Sequence, residues 1–250
     1  MFGRCAQINE NGGDLITVPG FHIGRFPVTQ GQWYAVMGNT PSFFTGANVW
    51  GGGTAPETFE RDDLPVEQVS WYDVLVFANR LSIQDGLQPA YRINNSTDPD
   101  DWGDIPTASD ADWNDVEIVA GANGWRLPTE HQWEFAAKGG RLSAGFTGTD
   151  SDTYFIFSGS DDADEVAWYS GNSGNRTHPV GEKEPNELGL YDMSGNVWEW
   201  AWDRRTPEGV TRVQRGGSWG NAEASSRSAL QDGGGPALRT FALGFRLVRP

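Results

Sequence analysis

The sequence predicts an α+β domain with modest sheets, few helices and much irregular structure. Three observations carry this prediction. There are 33 Gly and 14 Pro beside a hydrophobic fraction of only 37%. The 12 Trp can build a core from large aromatics in place of extensive sheets. Helix starts are confined to three segments. At 250 residues the chain is long enough to bury a substantial core, and it is expected to form one domain over residues 1–250.

In chain order, the first predicted helix is "TQGQWYAVMG", where Thr29 stands three residues before Gln32. The second is "SWYDVLVFANRLS", with Ser70 and Asp73, and the third is "TEHQWEFAAKGG", with Thr129 and Gln132. Each opens with a side-chain oxygen that accepts from the free N–H groups of the first turn. In the second, Val74, Phe77, Ala78 and Leu81 recur at helical spacing, so that face packs inward. Gly38 and Gly139 are C-terminal stops. Strands are expected in "LITVPGFHIGRFPV", "GLYDMSGNVWEW", "RVQRGGSW" and "LGFRLVR", short alternating runs edged by Gly or Pro. The polar tracts 91–124 and 141–188 are too long for ordinary connections, so they are functional insertions or loops pinned by aromatics and ions.

The formal charge is −16, and only Lys138 and Lys183 among the 18 basic residues are lysines. So acidic a surface repels a phosphate backbone, which argues against nucleic-acid binding and against docking on an anionic membrane. A single cysteine, Cys5, excludes an internal disulfide and any multi-cysteine metal site. No window approaches the ~18 apolar residues of a membrane span, and the N-terminus lacks a signal-peptide pattern. No membrane insertion is expected, and the default compartment is cytoplasmic. His22, His131 and His178 stand singly, without the spacing of a two-histidine-one-carboxylate iron site. There is no phosphate-binding glycine loop and no GxSxG elbow. The acidic pairs Asp100–Asp101 and Asp161–Asp162 read as solvated loop charge.

Six phrases then become specific together: "FPVTQGQWYAVMG", "PVEQVSWYDVLVFANRLS", "GWRLPTEHQWEFAAKGG", "NELGLYDMSGNVWEWAWD", "RGGSW" and "GFRLVRP". Their order over nearly the entire chain resembles the formylglycine-generating-enzyme, or sulfatase-modifying-factor, family. That resemblance implies a C-type lectin-like fold with little regular structure, N- and C-terminal strands that meet, and long loops on one face. Trp71, Trp125, Trp133, Trp198, Trp200 and Trp219 are expected in its core.

Fold does not settle function. Catalytic members of the family carry a cysteine pair between the "RGGSW" and "GFR" phrases that binds copper; here that interval holds none. No catalytic residue is therefore assigned, and no catalytic cofactor is required. The family does imply a structural calcium ion, for which the backbone carbonyls of Ser194, Gly195 and Val197 with the Glu199 carboxylate offer hard oxygens. The alternative is that Asn196 and Glu199 bond neighbouring backbone and no ion is held.

The tail between Arg215 and Pro250 resembles a different branch of the same fold, the variable proteins of diversity-generating retroelements. There a C-terminal segment is rewritten through adenines of template codons, and Asn codons become codons for small, polar or apolar residues. The candidates are Gly220, Asn221, Ala222, Ala224, Ser225, Ser226, Leu230, Asp232, Gly233, Gly234, Leu238, Thr240, Phe241 and Ala242. Arg227, Ser228, Ala229, Pro236 and Arg239 interrupt them as constant residues that hold the backbone. The resemblance implies a non-enzymatic ligand-binding protein whose partner is a protein or other macromolecular surface. An ordinary surface loop is the plain alternative for residues 220–242. A metal-dependent oxidase or an accessory factor of the family is the alternative function.

Overall fold

The computed structural model describes residues 6–9, 15–46, 48–52, 61–140 and 155–250. Cys5 and the 141–154 part of the second polar tract lie outside the described residues. Helices are α1 (Gln30–Met37), α2 (Trp71–Gln84), α3 (Ala111–Asn114), α4 (Glu130–Ala137) and α5 (Ala163–Val166). Strands are β1 (Ala6–Asn9), β2 (Leu15–Val18), β3 (His22–Ile23), β4 (Tyr91–Arg92), β5 (Glu117–Ile118) and β6 (Ala167–Trp168). They continue with β7 (Ser194–Gly195), β8 (Trp198–Arg204), β9 (Arg212–Arg215), β10 (Gln231–Gly234), β11 (Leu243–Gly244) and β12 (Val248–Arg249).

All three predicted helix starts close reciprocal capping boxes. The side chains of Thr29, Ser70 and Thr129 accept from the backbone of Gln32, Asp73 and Gln132, whose own side chains accept in return. Gly38 adopts the left-handed conformation at φ 73° and ends α1. The helix α2 is more deeply set than an amphipathic stripe predicts: every residue from Trp71 to Asn79 is buried, while Leu81 is only half-buried. It is a central element enclosed on most sides.

The largest sheet has the order β10-β9-β8-β11, antiparallel except where β11 runs parallel to β8. The antiparallel pair β12 with β3 brings the C-terminal strand back to the N-terminal region, Val248 facing Ile23. Several strands last only two residues, so tertiary packing rather than strand propensity holds them. That packing is aromatic. Trp33, Phe77 and Phe245 meet within 5.3–6.2 Å, and Trp71, Trp133 and Trp200 are fully buried. Trp198 and Trp219 are buried as well, whereas Trp125 is half-buried and packs on the edge of the main core. The tract 91–124, expected to lack regular structure, carries β4, α3 and β5 and is pinned by aromatics: Trp102 and Trp113 are buried, and Tyr72 lies 5.5 Å from Trp113.

At the centre lies a fully buried ion pair. Arg246 donates from Nε to Glu199 Oε2 at 2.7 Å and from Nη2 to Oε1 at 2.6 Å, and both side chains are 0% exposed. The Trp133 indole also donates to Oε2, at 2.6 Å. The same guanidinium reaches the carbonyls of Gly24 and Tyr191. The Arg246–Glu199 pair thus ties β8, α4 and the loops beside β3 and β7 to the C-terminal phrase.

Candidate binding face

Residues 215–243 leave β9, cross the surface and return as β11, and the structure holds them mainly by their main chain. The Arg215 guanidinium is buried on Trp133, 5.0 Å from its ring, and pairs with Glu134 at 2.8 Å. From there it donates to the carbonyls of Ser228 and Leu230. The Trp71 amide donates to Pro236 O at 3.0 Å and the Gln68 amide to Thr240 O at 2.9 Å. Arg239 forms a two-pronged pair with Asp73, at 2.7 and 2.9 Å. At Gly217, φ 76°, a Cβ would come within 2.7 Å of Ser225 O, so only glycine lets the strand exit pass under the segment. Backbone anchors of this kind persist when the neighbouring side chains change.

Around these anchors Gly220, Ala222, Ala224, Asp232 and Leu238 are exposed. Asn221, Ser225, Leu230, Gly233, Thr240, Phe241 and Ala242 are half-buried. Two of the expected surface positions are not on the surface. Ser226 is 0% exposed, and Gly234 is buried where a Cβ would meet Trp200, Leu238 and Gln214. Leu230 also turns inward, packing against the main core.

Beside the segment opens a cleft of about 420 Å³ lined by Trp50, Trp198, Gln214, Trp219, Asn221 and Phe241 among others. Trp50 stacks on Phe241 with ring centroids 4.0 Å apart, and Phe43 lies 5.9 Å from Trp50 and 6.0 Å from Phe241. Trp50 is 47% exposed and Phe43 37%, so the edge of the cleft is an open aromatic surface. Asn221 Oδ1 accepts from the Trp198 indole at 2.8 Å and the Ser218 hydroxyl at 2.6 Å. The Trp219 indole donates to Phe241 O at 2.9 Å. Sequence reading missed Phe43 and Trp50. The available signal was "PSFFTGANVW", large aromatics in a Gly- and Asn-containing loop with no alternation to bury them.

Glu67 lies beneath this loop. It is fully buried, and its Oε1 accepts from the Phe44 amide at 2.8 Å. Burial pushes its carboxyl up to about 7, against the lowering effect of the Phe44 and Phe43 amides.

The calcium assignment at Ser194, Gly195, Val197 and Glu199 does not fit this geometry. Both oxygens of Glu199 are taken by Arg246 and Trp133, and the guanidinium already supplies the positive charge an ion would bring. Asn196 instead bonds the His178 backbone in both directions, at 3.1 and 3.0 Å. Among the described residues no three His, Cys, Asp or Glu side chains gather as a metal-holding group. His178 is buried and stacks 3.7 Å from Trp168.

The short, curled strands and the loop face with its aromatic cleft define a C-type lectin-like scaffold of the formylglycine-generating-enzyme type. The chain belongs to the sulfatase-modifying factor enzyme 1-like domain family, whose model matches residues 3–250. Treponema denticola variable protein 1 superimposes with a TM-score of 0.80 at 35% identity, covering 99% of this chain and 92% of that one. Chaperone protein LppX of Paenibacillus barcinonensis is 40% identical over 82% of this chain and 71% of its own length. An inactive C-alpha-formylglycine-generating enzyme 2 of Mus musculus is 36% identical over 54% of this chain and 46% of that protein. No helix among the described residues is long and apolar enough to cross a membrane.

Proposed function

We propose that this chain is a non-enzymatic binding protein whose variable segment, residues 220–242, borders a recognition cleft for macromolecular surfaces. The observation that carries the reading is the cleft itself. Exposed aromatics of a neighbouring loop, Phe43 and Trp50, meet Phe241 of that segment, whose backbone is held at the Ser228, Leu230, Pro236 and Thr240 carbonyls and by the Arg239–Asp73 pair. An apolar centre rimmed by adaptable polar positions is the usual anatomy of a protein-binding patch. Likeness to Treponema denticola variable protein 1 over nearly the whole chain supports the reading. So does the identity to a formylglycine-generating enzyme named inactive.

The test is selection on the immobilised chain from a randomised peptide library and, in parallel, a glycan array, each repeated with Phe241→Ala. Binding is expected to be lost in the variant, while its melting temperature stays within about 4 °C, because only a half-buried ring is removed. Absence of any Phe241-dependent binder would remove the proposal.

A second reading has one observation in its favour, the 40% identity to Chaperone protein LppX. On that reading the cleft holds an unfolded or folding client, and the chain is an accessory factor. It predicts binders enriched for apolar residues without positional pattern, together with suppressed aggregation of a heated test protein.

A further inference from the structure

Two depressions share one turn of the loop face. The aromatic cleft carries no ionic side chain among its lining residues. Next to it, Asp161, Asp162, Asp164, Tyr169 and Glu223 line a shallow hollow of about 410 Å³. The two are physically joined: Asn221 lines the first and Glu223 the second, and the Ser170 amide donates to Asn221 O at 2.9 Å. Asp162 and Asp164 have local bonds, Asp162 to the Asp164 amide and Asp164 to Tyr169 and Asn172. Glu223 is exposed and opens a short helical turn, Glu223–Ser226, whose N-cap residue Ala222 supplies no side-chain bond.

Two cations stand nearby. Lys183 donates to the Asp164 carbonyl at 2.6 Å and lies over the Trp168 ring, and Arg227 follows the same turn, exposed. The carboxylates outnumber them. The field is felt locally: the Tyr169 hydroxyl is held above its ordinary range by its bond to Asp164, with the charges of Glu223 and Asp162 adding to the effect. The cleft also contains an unsatisfied group. Gln214 is 6% exposed and lines the cleft, and its Nε2 has no hydrogen-bond partner, a feature that a bound acceptor and a small side-chain shift would relieve.

From the adjoining aromatic cleft and acidic hollow we infer that the partner is a polypeptide segment presenting an aromatic or aliphatic side chain beside lysine or arginine. The inference rests on the binding reading above. The apolar side chain packs against the Trp50–Phe241 stack beside Trp198, and the neighbouring cation lies over Glu223 and Asp162. Complementary charge at the edge of an apolar centre sets partner choice and association rate more than total affinity. The surrounding net charge of −16 draws such a segment in from a distance at low salt.

The same selections test this. Peptides enriched on the wild-type chain are expected to carry Lys or Arg within a few positions of an aromatic or aliphatic residue. Glu223→Lys, a change at an exposed position, is expected to weaken them roughly three- to tenfold, and raising salt to about 0.5 M is expected to weaken them similarly. Phe241-dependent peptides that are neutral or acidic, or indifferent to Glu223→Lys, would overturn the cationic partner and leave the cleft as a binding site. Phe241-dependent binding to glycans alone would overturn the polypeptide commitment. Failure of every probe to depend on Phe241 removes both this inference and the function it rests on.

Discussion

Glu199 and Glu67 are both fully buried carboxylates, and one arginine separates their behaviour. Glu199 is matched by Arg246 in a two-pronged pair that ties it into the core. Glu67 receives the Phe44 amide on one oxygen and has no partner on the other. Burial without a matching cation holds its carboxyl up at about 7 instead of the ordinary 4.5. Between those values the folded state binds a proton that the unfolded state has released. The stabilisation is complete below pH 4.5 and is lost as pH rises through about 7. His178 works in the opposite direction, lowered to about 4 by burial, so its contribution is present above pH 6.5 and lost as pH falls toward 4. Comparing wild type with Glu67→Gln isolates the glutamate. The variant's advantage is expected to grow by up to about 3 kcal/mol from pH 4.5 to 7.5. Urea unfolding across that range reads it, and parallel curves for the two proteins would refute the argument. The partners of neither carboxylate were legible in the sequence: "NVWEW" offered Glu199 as a calcium ligand, and "PVEQVS" did not mark Glu67 at all. What distinguishes them is an arginine that lies close to Glu199 only after the C-terminal strand has folded back.

At the scale of elements, local chemistry was readable and tertiary enclosure was not. Helix starts were legible because the capping box is a contact between residues three apart, and all three formed. The two-residue strands β3, β7, β11 and β12 fall in expected strand phrases, whereas β4, β5 and β6 lie in tracts read as polar, since pairs such as β4 with β5 depend on partners 25 residues away. The box at α2 has a further duty that local reading could not supply. Asp73 Oδ2 accepts from the Ser70 amide at 2.6 Å and from Arg239 Nε at 2.7 Å, so one carboxylate both caps the helix and clamps the segment that carries Arg239. Ser70→Ala is expected to cost about 1 kcal/mol as a lost cap. Asp73→Ala is expected to cost about 2–4 kcal/mol, because it also leaves Arg239 without its partner. Hydrogen exchange separates the two effects. The Gln68 amide, bonded to Thr240 O, is expected to lose protection in Asp73→Ala and keep it in Ser70→Ala. Equal protection in both variants would mean that the Arg239 pair does not hold the segment.

Across the whole molecule, burial in the tail changes from one position to the next, not from region to region. The tail was legible as a segment without helical or strand pattern, but its individual burial was not. Ser226 and Gly234 are deep, while Gly220, Ala222, Ala224, Asp232 and Leu238 face solvent. Nothing lies within 4 Å of a Cβ built at Gly220. At Gly234 the same atom would stand 2.4 Å from Gln214 Nε2, 2.8 Å from Leu238 and 3.1 Å from the Trp200 ring. Gln214 and Leu238 can yield, but Trp200 is fully buried and cannot. Replacing all five exposed positions together by Asn is therefore expected to shift stability by less than about 2.5 kcal/mol, at roughly 0.5 kcal/mol or less per surface site. The single change Gly234→Leu is expected to cost more than that, by overpacking against Trp200 and displacing β10. Calorimetry of the two variants decides the point. If the fivefold variant melts as low as Gly234→Leu, the face is an ordinary loop whose side chains support the fold. If it melts near wild type, the anchors at Arg215, Trp71, Gln68 and Asp73 suffice to hold a segment whose exposed residues are free to differ.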